Sequence, residues 1–409
     1  MRIRTLLVLN AGSSSIKFAL YAYPPHGDPA RQPLHAGEVQ DIGGHASLRV
    51  DGEPPRVLAA AAGDPYRAAL APIIAWLDER LPNLDVAAVA HRVVHGGAHY
   101  VAPVIADDAT IGALRKLIPL APLHQPHNLD AIDALQRVLP GVPQVAVFDT
   151  AFHHTLPRVE RLLPLPHAWF DKGVRRYGFH GLSYEYLTVA LDEAFGTRAQ
   201  GRMIAAHLGS GASLCALREL RSVATTMGFS ALDGLMMGTR CGSLDPGAVL
   251  HLLDVERLSH RALGQLLYHD AGLKGLSGLS ADPRVLLAHE TDDVRARDAL
   301  ALYVHRIVRE IGALAAVLGG LDMLVFTAGV GEHCAPVRER VCAALGWLGV
   351  ALDPAANAAN THVVSRDGSA VTVVVEPTDE AWIAARNALR LLRRTVGAGT
   401  RTTSEQELP

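Results

Sequence analysis

Four short runs rich in glycine and serine are the first residues here with chemistry in them. They are Asn10-Ala-Gly-Ser-Ser-Ser15, Gly209-Ser-Gly211 with its flank to 213, residues 275–278, and Gly329-Val-Gly331. Small residues let backbone N–H groups approach phosphate oxygens, and serine hydroxyls add donors. Lys17, two residues past Ser15, adds positive charge. The chain has no G-x-x-x-x-G-K-S/T and no G-x-G-x-x-G, so neither a P-loop nor a Rossmann dinucleotide turn is expected. One such turn by itself mostly just reverses the chain. Four of them, each read at the end of a strand, point to a bound nucleotide. Arg92 follows an apolar strand; a guanidinium fork can grip a carboxylate at two points and leave it charged, although a structural salt bridge would need the same residue. Asp149 ends a strand, a frequent position for a working carboxylate. His180 lies between glycines in Gly178-Phe-His-Gly181, which lets it project into a cleft; a buried histidine that is merely hydrogen-bonded is the alternative. His91, His95 and His99 have metal-like spacing, but Arg92 stands where a zinc protease needs its glutamate, and Val93-Val94 with Gly96-Gly97 argue against a helix.

The elements that must carry these residues follow from periodicity. Residues 5–9 read as a buried strand and 15–22 as an alternating one, with Ile16, Phe18 and Leu20 on one face. Short strands are predicted at 34–39 and 45–50, a helix over 66–81, a strand at 86–94, a helix near 128–138 and a strand at 143–148. The segment Met203–Leu217 repeats the opening pattern of strand, Gly-Ser turn and strand seen in Leu6–Leu20. Such a repeat predicts two related halves facing one cleft, although a strand, glycine turn and strand can also recur by chance. Further on, a helix is predicted over 299–318, a strand at 322–327, a helix from Pro336, a strand at 371–376 and a helix from Thr378. The division expected is an N-terminal domain over 1–150 completed by a helix at 379–396, a second domain over 151–378 that binds nucleotide and dimerises, and a flexible tail over 397–409.

The 409 residues suffice for two cores. A net charge of -3 gives no reason to expect nucleic acid or an anionic membrane as partner. No apolar run reaches the length of a membrane span. Cys215, Cys241, Cys334 and Cys342 form no C-x-x-C pair, which fits a reducing cytoplasm.

Longer blocks carry a family resemblance. Leu7-Val-Leu-Asn-Ala-Gly-Ser-Ser-Ser-Ile-Lys17 and Arg175-Arg-Tyr-Gly-Phe-His-Gly181 resemble the two signatures of the acetate kinases. His91-Arg-Val-Val-His-Gly-Gly97, Ala121-Pro-Leu-His124, Val147-Phe-Asp-Thr-Ala-Phe-His153, Gly234-Leu-Met-Met-Gly-Thr-Arg240 and Pro377-Thr-Asp-Glu380 resemble further blocks in the same order. The resemblance implies an α/β fold of two duplicated actin-like ATPase domains, mixed sheets flanked by helices with the active site in a cleft between them, as in sugar kinases, heat-shock chaperones and actin. It also implies a homodimer, ATP as co-substrate with Mg²⁺ or alternatively Mn²⁺, and reversible formation of acetyl phosphate from acetate.

By the same resemblance Arg92 binds the acid, and Val94, Leu123, Phe179 and Ala231 wall its methyl group. Arg240 and His180 hold the moving phosphoryl group, and Asp149 is catalytic. Acetate is already ionised at neutral pH, so the role read for Asp149 is electrostatic. Asn10 and Glu380 are the magnesium positions; an acid at a helix N-terminus also has a purely structural use. Ser13, Ser15, Lys17, His207, Leu208, Gly209, Ser210, Gly211, Asp282, Pro283, Arg284, Gly329, Val330, Gly331, Glu332 and His333 map to nucleotide-binding positions. Glycines 329 and 331 are read as leaving room for adenosine.

Several blocks are altered. Ser210 replaces an asparagine, Ala224 an aspartate, Ala328 a glycine and His333 an asparagine. Leu182-Ser-Tyr184 stands for Thr-Ser-His, and Ala231 replaces a proline. These changes bear on nucleotide affinity and acid preference more than on the reaction. The rival readings are a kinase of propionate or butyrate, one using pyrophosphate, and a nucleotide-binding switch without an acceptor, for which Arg92 would have no use.

Overall fold

Strand β1 (Ile3–Ala11) and strand β2 (Ile16–Ala22) form an antiparallel hairpin, closed where the Gly12 N–H donates to the Ser15 carbonyl at 2.8 Å. The computed structural model describes residues 3–12, 15–58, 65–122 and 124–401, with backbone alone at 65–67 and 396–401. Ser13 and Leu123 lie outside the described residues. The chain divides into two units, one made of the residues up to Ala151 with those from Asp379 onward, the other of Phe152–Thr378.

In the first unit, β3 (His35–Gln40), β4 (Ser47–Val50) and β5 (Arg56–Val57) extend the hairpin antiparallel on the β2 side. On the other side, β6 (Leu84–Val93) pairs parallel with β1; β7 (Val104–Ile105) and β8 (Gln144–Phe148) follow, with β8 parallel to β6. The order is β5-β4-β3-β2-β1-β6-β8-β7. Leu7, Leu9, Ile16, Phe18 and Leu20 pack with Leu70, Ile73 and Leu77 of the helix Pro65–Arg80 and Leu135 of the helix Gln125–Val138. The C-terminal helix Glu380–Arg401 packs against β1, β2, β6 and β8.

The second unit holds β9 (Met203–Leu208), β10 (Ala212–Arg218), β11 (Arg221–Thr225), β12 (Met323–Thr327) and β13 (Thr372–Val375), in the order β11-β10-β9-β12-β13. β9, β10 and β11 are antiparallel, whereas β12 and β13 run parallel to β9. The stretch β3-β2-β1-β6-β8 of the first sheet has the same order and the same directions, so the sequence repeat extends to five strands of topology. The helix Gly181–Phe195 supplies Tyr184, Leu187 and Leu191 to the core of this sheet, and the helix Val294–Leu318 packs on β9, β10 and β11.

Some expectations change. β2 does not alternate cleanly: Ala19 and Tyr21 are buried as well, because the C-terminal helix covers the face opposite Ile16, Phe18 and Leu20. Residues 275–278 are not a strand-end turn. They close the helix Gly272–Ser277, with Gly278 as a left-handed C-cap at φ 67°. Gly329-Val-Gly331 is likewise not a turn but lies inside the helix Ala328–His333 that follows β12. Of the four runs, 209–213 closes a hairpin, and in the first run Gly12 and Ser15 close another, residues 13 and 14 lying outside the described ones. The C-terminal helix continues through Arg401, past the expected end at 396. Strand β11, the helix Gly181–Phe195 and the helices between Pro246 and Leu287 are elements the periodicity does not announce.

Candidate active site

In the first unit, the C-terminal ends of three adjacent parallel strands bring Asn10, Arg92 and Asp149 side by side, where ligands of α/β sheets commonly bind. Asp149 accepts from Arg92 Nε at 3.0 Å and from Arg92 Nη2 at 2.5 Å. Arg92 Nη1 donates to Asn10 Oδ1 at 3.2 Å, and Glu380 Oε2 lies 3.5 Å from Arg92 Nε. The Asp149 side chain is 2% exposed and that of Arg92 22%. Burial by itself lowers the Arg92 pKa, but the carboxylates of Asp149 and Glu380 outweigh it and raise the guanidinium above its ordinary value. Both carboxylate oxygens of Asp149 are thus spent on orienting Arg92, as a fork-to-fork pair. Val94 is buried beside them, its N–H donating to Asn128 Oδ1 at 3.0 Å.

Lys17 is exposed on β2. It stands directly across from Asn10 on one side and Glu38 on the other, so the three share a face. Lys17 also lines an open groove of about 420 Å³ with Arg49, Asp51 and Asp379. Ser15 closes the hairpin through its backbone.

In the second unit, His180 is the N-cap of the helix Gly181–Phe195 and takes the left-handed conformation, φ 59° and ψ 27°. Gly178 precedes it at φ 78°; a Cβ there would come within 2.5 Å of the His153 ring, so only glycine fits. His180 stacks on His207 with centroids 4.1 Å apart. His180 Nδ1 meets Ser213 Oγ at 2.9 Å, Ser213 Oγ meets Tyr184 Oη at 2.6 Å, and His207 Nδ1 meets Ser183 Oγ at 2.8 Å. Arg240 Nη1 donates to the carbonyl of Ala231 at 3.2 Å. The Cβ that Gly211 lacks would sit 3.2 Å from Arg240 Nη1 and 3.5 Å from His180 Nε2. Glycine 211 therefore lets the backbone come up against both cationic or donor groups at once. Phe179 is buried, and Ala231, next to Arg240, is half-buried.

Further residues of this unit that the resemblance assigns to nucleotide lie at the ends of β9 and β12 and in the helix Pro283–Leu287. Leu208 is buried at the end of β9, and Gly209 lies against the Ala328 methyl, 3.7 Å from where its own Cβ would be. Gly238 donates to the Ser210 carbonyl and abuts Ala281, which leads into Asp282. Asp282 caps the helix Pro283–Leu287 and pairs with Arg284 at 2.6 Å; Pro283 is its buried first residue. Gly329 is exposed, with open space where its Cβ would be. Gly331 differs: its Cβ would meet the backbone of Phe326 and Ala206 at 3.4 and 3.5 Å, ordinary van der Waals contact, so it faces the sheet rather than open space. Val330 is buried with it. Glu332 turns onto the backbone, accepting from the Ala328 N–H at 2.7 Å and the Thr378 N–H at 3.4 Å, while exposed His333 lies 3.6 Å from its other oxygen. Ala224 is buried in β11.

Ala328 is strained. It has φ 64°, a conformation that costs a residue with a Cβ about 1 kcal/mol or more relative to glycine. Ala328→Gly is expected to raise the melting temperature by roughly 2–4 °C for a unit of this size. A thermal melt in which the variant unfolds at or below the wild-type temperature would contradict that expectation.

Several positioning residues escaped the sequence reading. Gln125 and Asn128 of the helix Gln125–Val138 clamp the backbone just beyond β6: Gln125 accepts from the His95 N–H and donates to the His95 carbonyl, and Asn128 ties Val94 to the Ala11 carbonyl. His153 donates to the Phe179 carbonyl at 2.9 Å and holds the turn before His180; burial pulls its pKa down to about 4, so it is neutral. Arg338 is fully buried and donates to the carbonyls of Gly331 and Glu332 and to Asn357 and Asn360. It fixes the helix Ala328–His333 from behind. Gln125, Asn128 and His153 act on backbone 26 or more residues away, which local sequence does not record, whereas Arg338 reaches back 7 and 6 residues. His91 is held by Gln144 at 2.7 Å within the sheet, and burial pulls it down to about 4.

The profile of the acetokinase family matches residues 5–386. The chain is 50% identical over 393 residues to the acetate kinase of Rhodopseudomonas palustris, covering 94% of this chain and 98% of that one. Its structure is similar to the crystal structure of Porphyromonas gingivalis acetate kinase (TM-score 0.85, 35% identity, 95% of this chain and 100% of that one). It is also similar to a propionate kinase from Francisella tularensis (TM-score 0.87, 32% identity, 95% and 99%).

Proposed function

We propose, on the premise that this chain belongs to the acetokinase family and transfers phosphate between ATP and acetate, that the transfer is direct and that its residues divide into a carboxylate clamp and a phosphoryl clamp. The fold, two mixed sheets flanked by helices, is the actin-like ATPase fold of acetate kinases. The observation that carries the reading is the Arg92–Asp149 pair. A guanidinium whose Nε–Nη2 edge is held by a buried carboxylate presents its Nη1–Nη2 end to an incoming acid in a fixed orientation. Acetate arrives ionised, so Asp149 has no proton to remove; its place is to aim Arg92. Arg240, beside Gly211, neutralises charge on the phosphoryl group and His180 donates a hydrogen bond to its oxygens, which is most of what phosphoryl transfer asks of a protein. The hairpin residues Ser13, Ser15 and Lys17 contact phosphate. His207–Gly211, Asp282–Arg284 and Gly329–His333 contribute to nucleotide binding, Glu332 and Gly331 by shaping the backbone.

Among the described residues no three histidine, cysteine or acidic side chains gather into a metal cage. Asn10 and Glu380 nevertheless both direct oxygens toward Arg92. Two oxygen donors fit a Mg²⁺ ion that keeps water and takes its other ligands from phosphate. Bound there, the ion would screen the charge of the phosphate oxygens. Among the described residues no helix is long and apolar enough to cross a membrane. A cytoplasmic location is favoured by four unpaired thiols. Exposed Leu244, Leu250, Leu276, Leu279 and Trp347 supply apolar surface for the homodimer that the family resemblance implies.

Acid preference rests on Ala231. Where relatives are read as having proline, the smaller side chain leaves room for one or two methylenes, each worth about 0.8 kcal/mol when buried. Propionate is therefore expected to be used better than by a proline-bearing relative, and Ala231→Pro is expected to lower kcat/KM for propionate relative to acetate about fourfold per methylene. A coupled assay of ADP release across two- to four-carbon acids, with ATP or pyrophosphate as donor, tests this and the proposed function together. A ratio unmoved by the substitution overturns the pocket assignment, and acid-independent ADP release overturns the clamp.

A further inference from the structure

We infer that Tyr184 and Ser213 are positioning residues that hold neutral His180 as the Nε2–H tautomer, so that its donor faces the side of the site where Gly211 and Arg240 lie. The inference rests on the reading of His180 as a contact of the transferring phosphoryl group.

The direction of each proton follows from counting donors in a buried chain. Tyr184 and Ser213 are fully buried, so a phenol or hydroxyl proton without a partner would be left desolvated and unpaired. Ser213 Oγ is the hydrogen-bond partner that the described residues give the Tyr184 hydroxyl. The phenol proton then goes to Ser213 Oγ, 2.6 Å away. Ser213, having accepted it, gives its own proton to His180 Nδ1 at 2.9 Å. With Nδ1 an acceptor, the single proton of the neutral ring is on Nε2. The reverse direction, with Nδ1–H donating to Ser213 and Ser213 donating to Tyr184, leaves the phenol proton with no acceptor in this chain of bonds. Nε2 is the nitrogen 3.5 Å from the position a Gly211 Cβ would take, and Arg240 Nη1 is 3.2 Å from that same point. Two N–H donors then converge where Gly211 gives way. The His207 ring, stacked at 4.1 Å and itself tied to Ser183, keeps the His180 plane from turning.

Tyr184 is also one of the two residues, with Leu182, at which this chain departs from the block it resembles, which is read as having histidine there. A phenol carries one proton and so imposes one direction. A histidine can present either tautomer to the serine.

The test reads the tautomer itself. In the full-length protein labelled with ¹⁵N-histidine, the His180 signals are assigned by difference against His180→Gln, and long-range ¹H–¹⁵N correlations identify the protonated nitrogen. The wild type is expected to show Nε2–H with an unprotonated Nδ1; a protonated Nδ1 overturns the inference without any need for a variant to fold. In Tyr184→Phe, Ser213 loses its enforced direction. The ring is then expected to populate both tautomers, with kcat down roughly tenfold, inside the ~10²–10³ limit for losing such a donor outright, and KM for ATP and acetate unchanged. A tautomer that does not move in Tyr184→Phe overturns the part given to Tyr184. A tautomer that moves with kcat intact leaves the relay standing and overturns the phosphoryl role of His180.

Discussion

Arg240→Ala is expected to lower kcat about 10³-fold while leaving KM for acetate within a few-fold of wild type. Guanidinium groups that meet a transferring phosphoryl group contribute on this scale, because they act on charge that spreads over its oxygens in the transition state. The local structure gives Arg240 little freedom. Its Nη1 is held by the Ala231 carbonyl and approaches Met237 Sδ at 3.8 Å. Its backbone is pinned by the turn in which the Met237 N–H donates to the Arg240 carbonyl, and Gly272 at φ 64° packs directly onto that turn. A side chain so fixed is preorganised, and its loss should appear in kcat. Arg240→Lys is expected to recover little, since a point charge cannot reproduce the planar fork. Steady-state ADP formation at saturating ATP and acetate measures the effect. A kcat within tenfold of wild type would remove Arg240 from the phosphoryl clamp.

The second large effect concerns Arg92. Arg92→Lys and Arg92→Ala should each lower kcat/KM for acetate about 10³-fold, close to the value of two charge-assisted hydrogen bonds at 1.5–3 kcal/mol each. KM for ATP should stay near the wild-type value in both. The alanine variant carries a second cost. It leaves the Asp149 carboxylate, 2% exposed, without its cation, which should destabilise the first unit by roughly 3–5 kcal/mol. The lysine variant separates the two, for it keeps a positive charge against Asp149 and removes only the fork. Initial rates against acetate concentration, together with a denaturant titration, distinguish lost binding from lost folding. A lysine variant with wild-type KM for acetate would mean that Arg92 does not hold the acid.

Much of the scaffold was legible in the sequence, and the residues say why. The hairpin around residues 10–15 and its counterpart at 209–213 are local: apolar runs of strand length flank small residues that permit a tight turn. The helix Val294–Leu318 shows its buried stripe of Leu300, Ile307, Ile311 and Leu314 at helical spacing. The helix Gly181–Phe195 was less legible. It begins at a glycine, and its run from Tyr186 to Leu191 is apolar but for Thr188, without a clear polar face. The glycines at 275–278 and 329–331 misled in another way. Glycine occurs both in phosphate turns and inside helices, and Gly331 lies in a helix with the backbone of Phe326 and Ala206 within van der Waals reach of its missing Cβ.

The opening hairpin, its repeat, the strand-end positions of Arg92 and Asp149 and the family blocks were determined by the sequence, because each depends on residues within about ten positions of one another. The tertiary structure alone decided that Asp149 spends both oxygens on Arg92, 57 residues away. It alone joined His180 to Ser213 and Tyr184 to that same hydroxyl, across 33 and 29 residues. Local periodicity records which face of an element is buried. It carries no record of which polar group on another element meets that face, and the orientation of a guanidinium or the tautomer of an imidazole is set by such long-range partners.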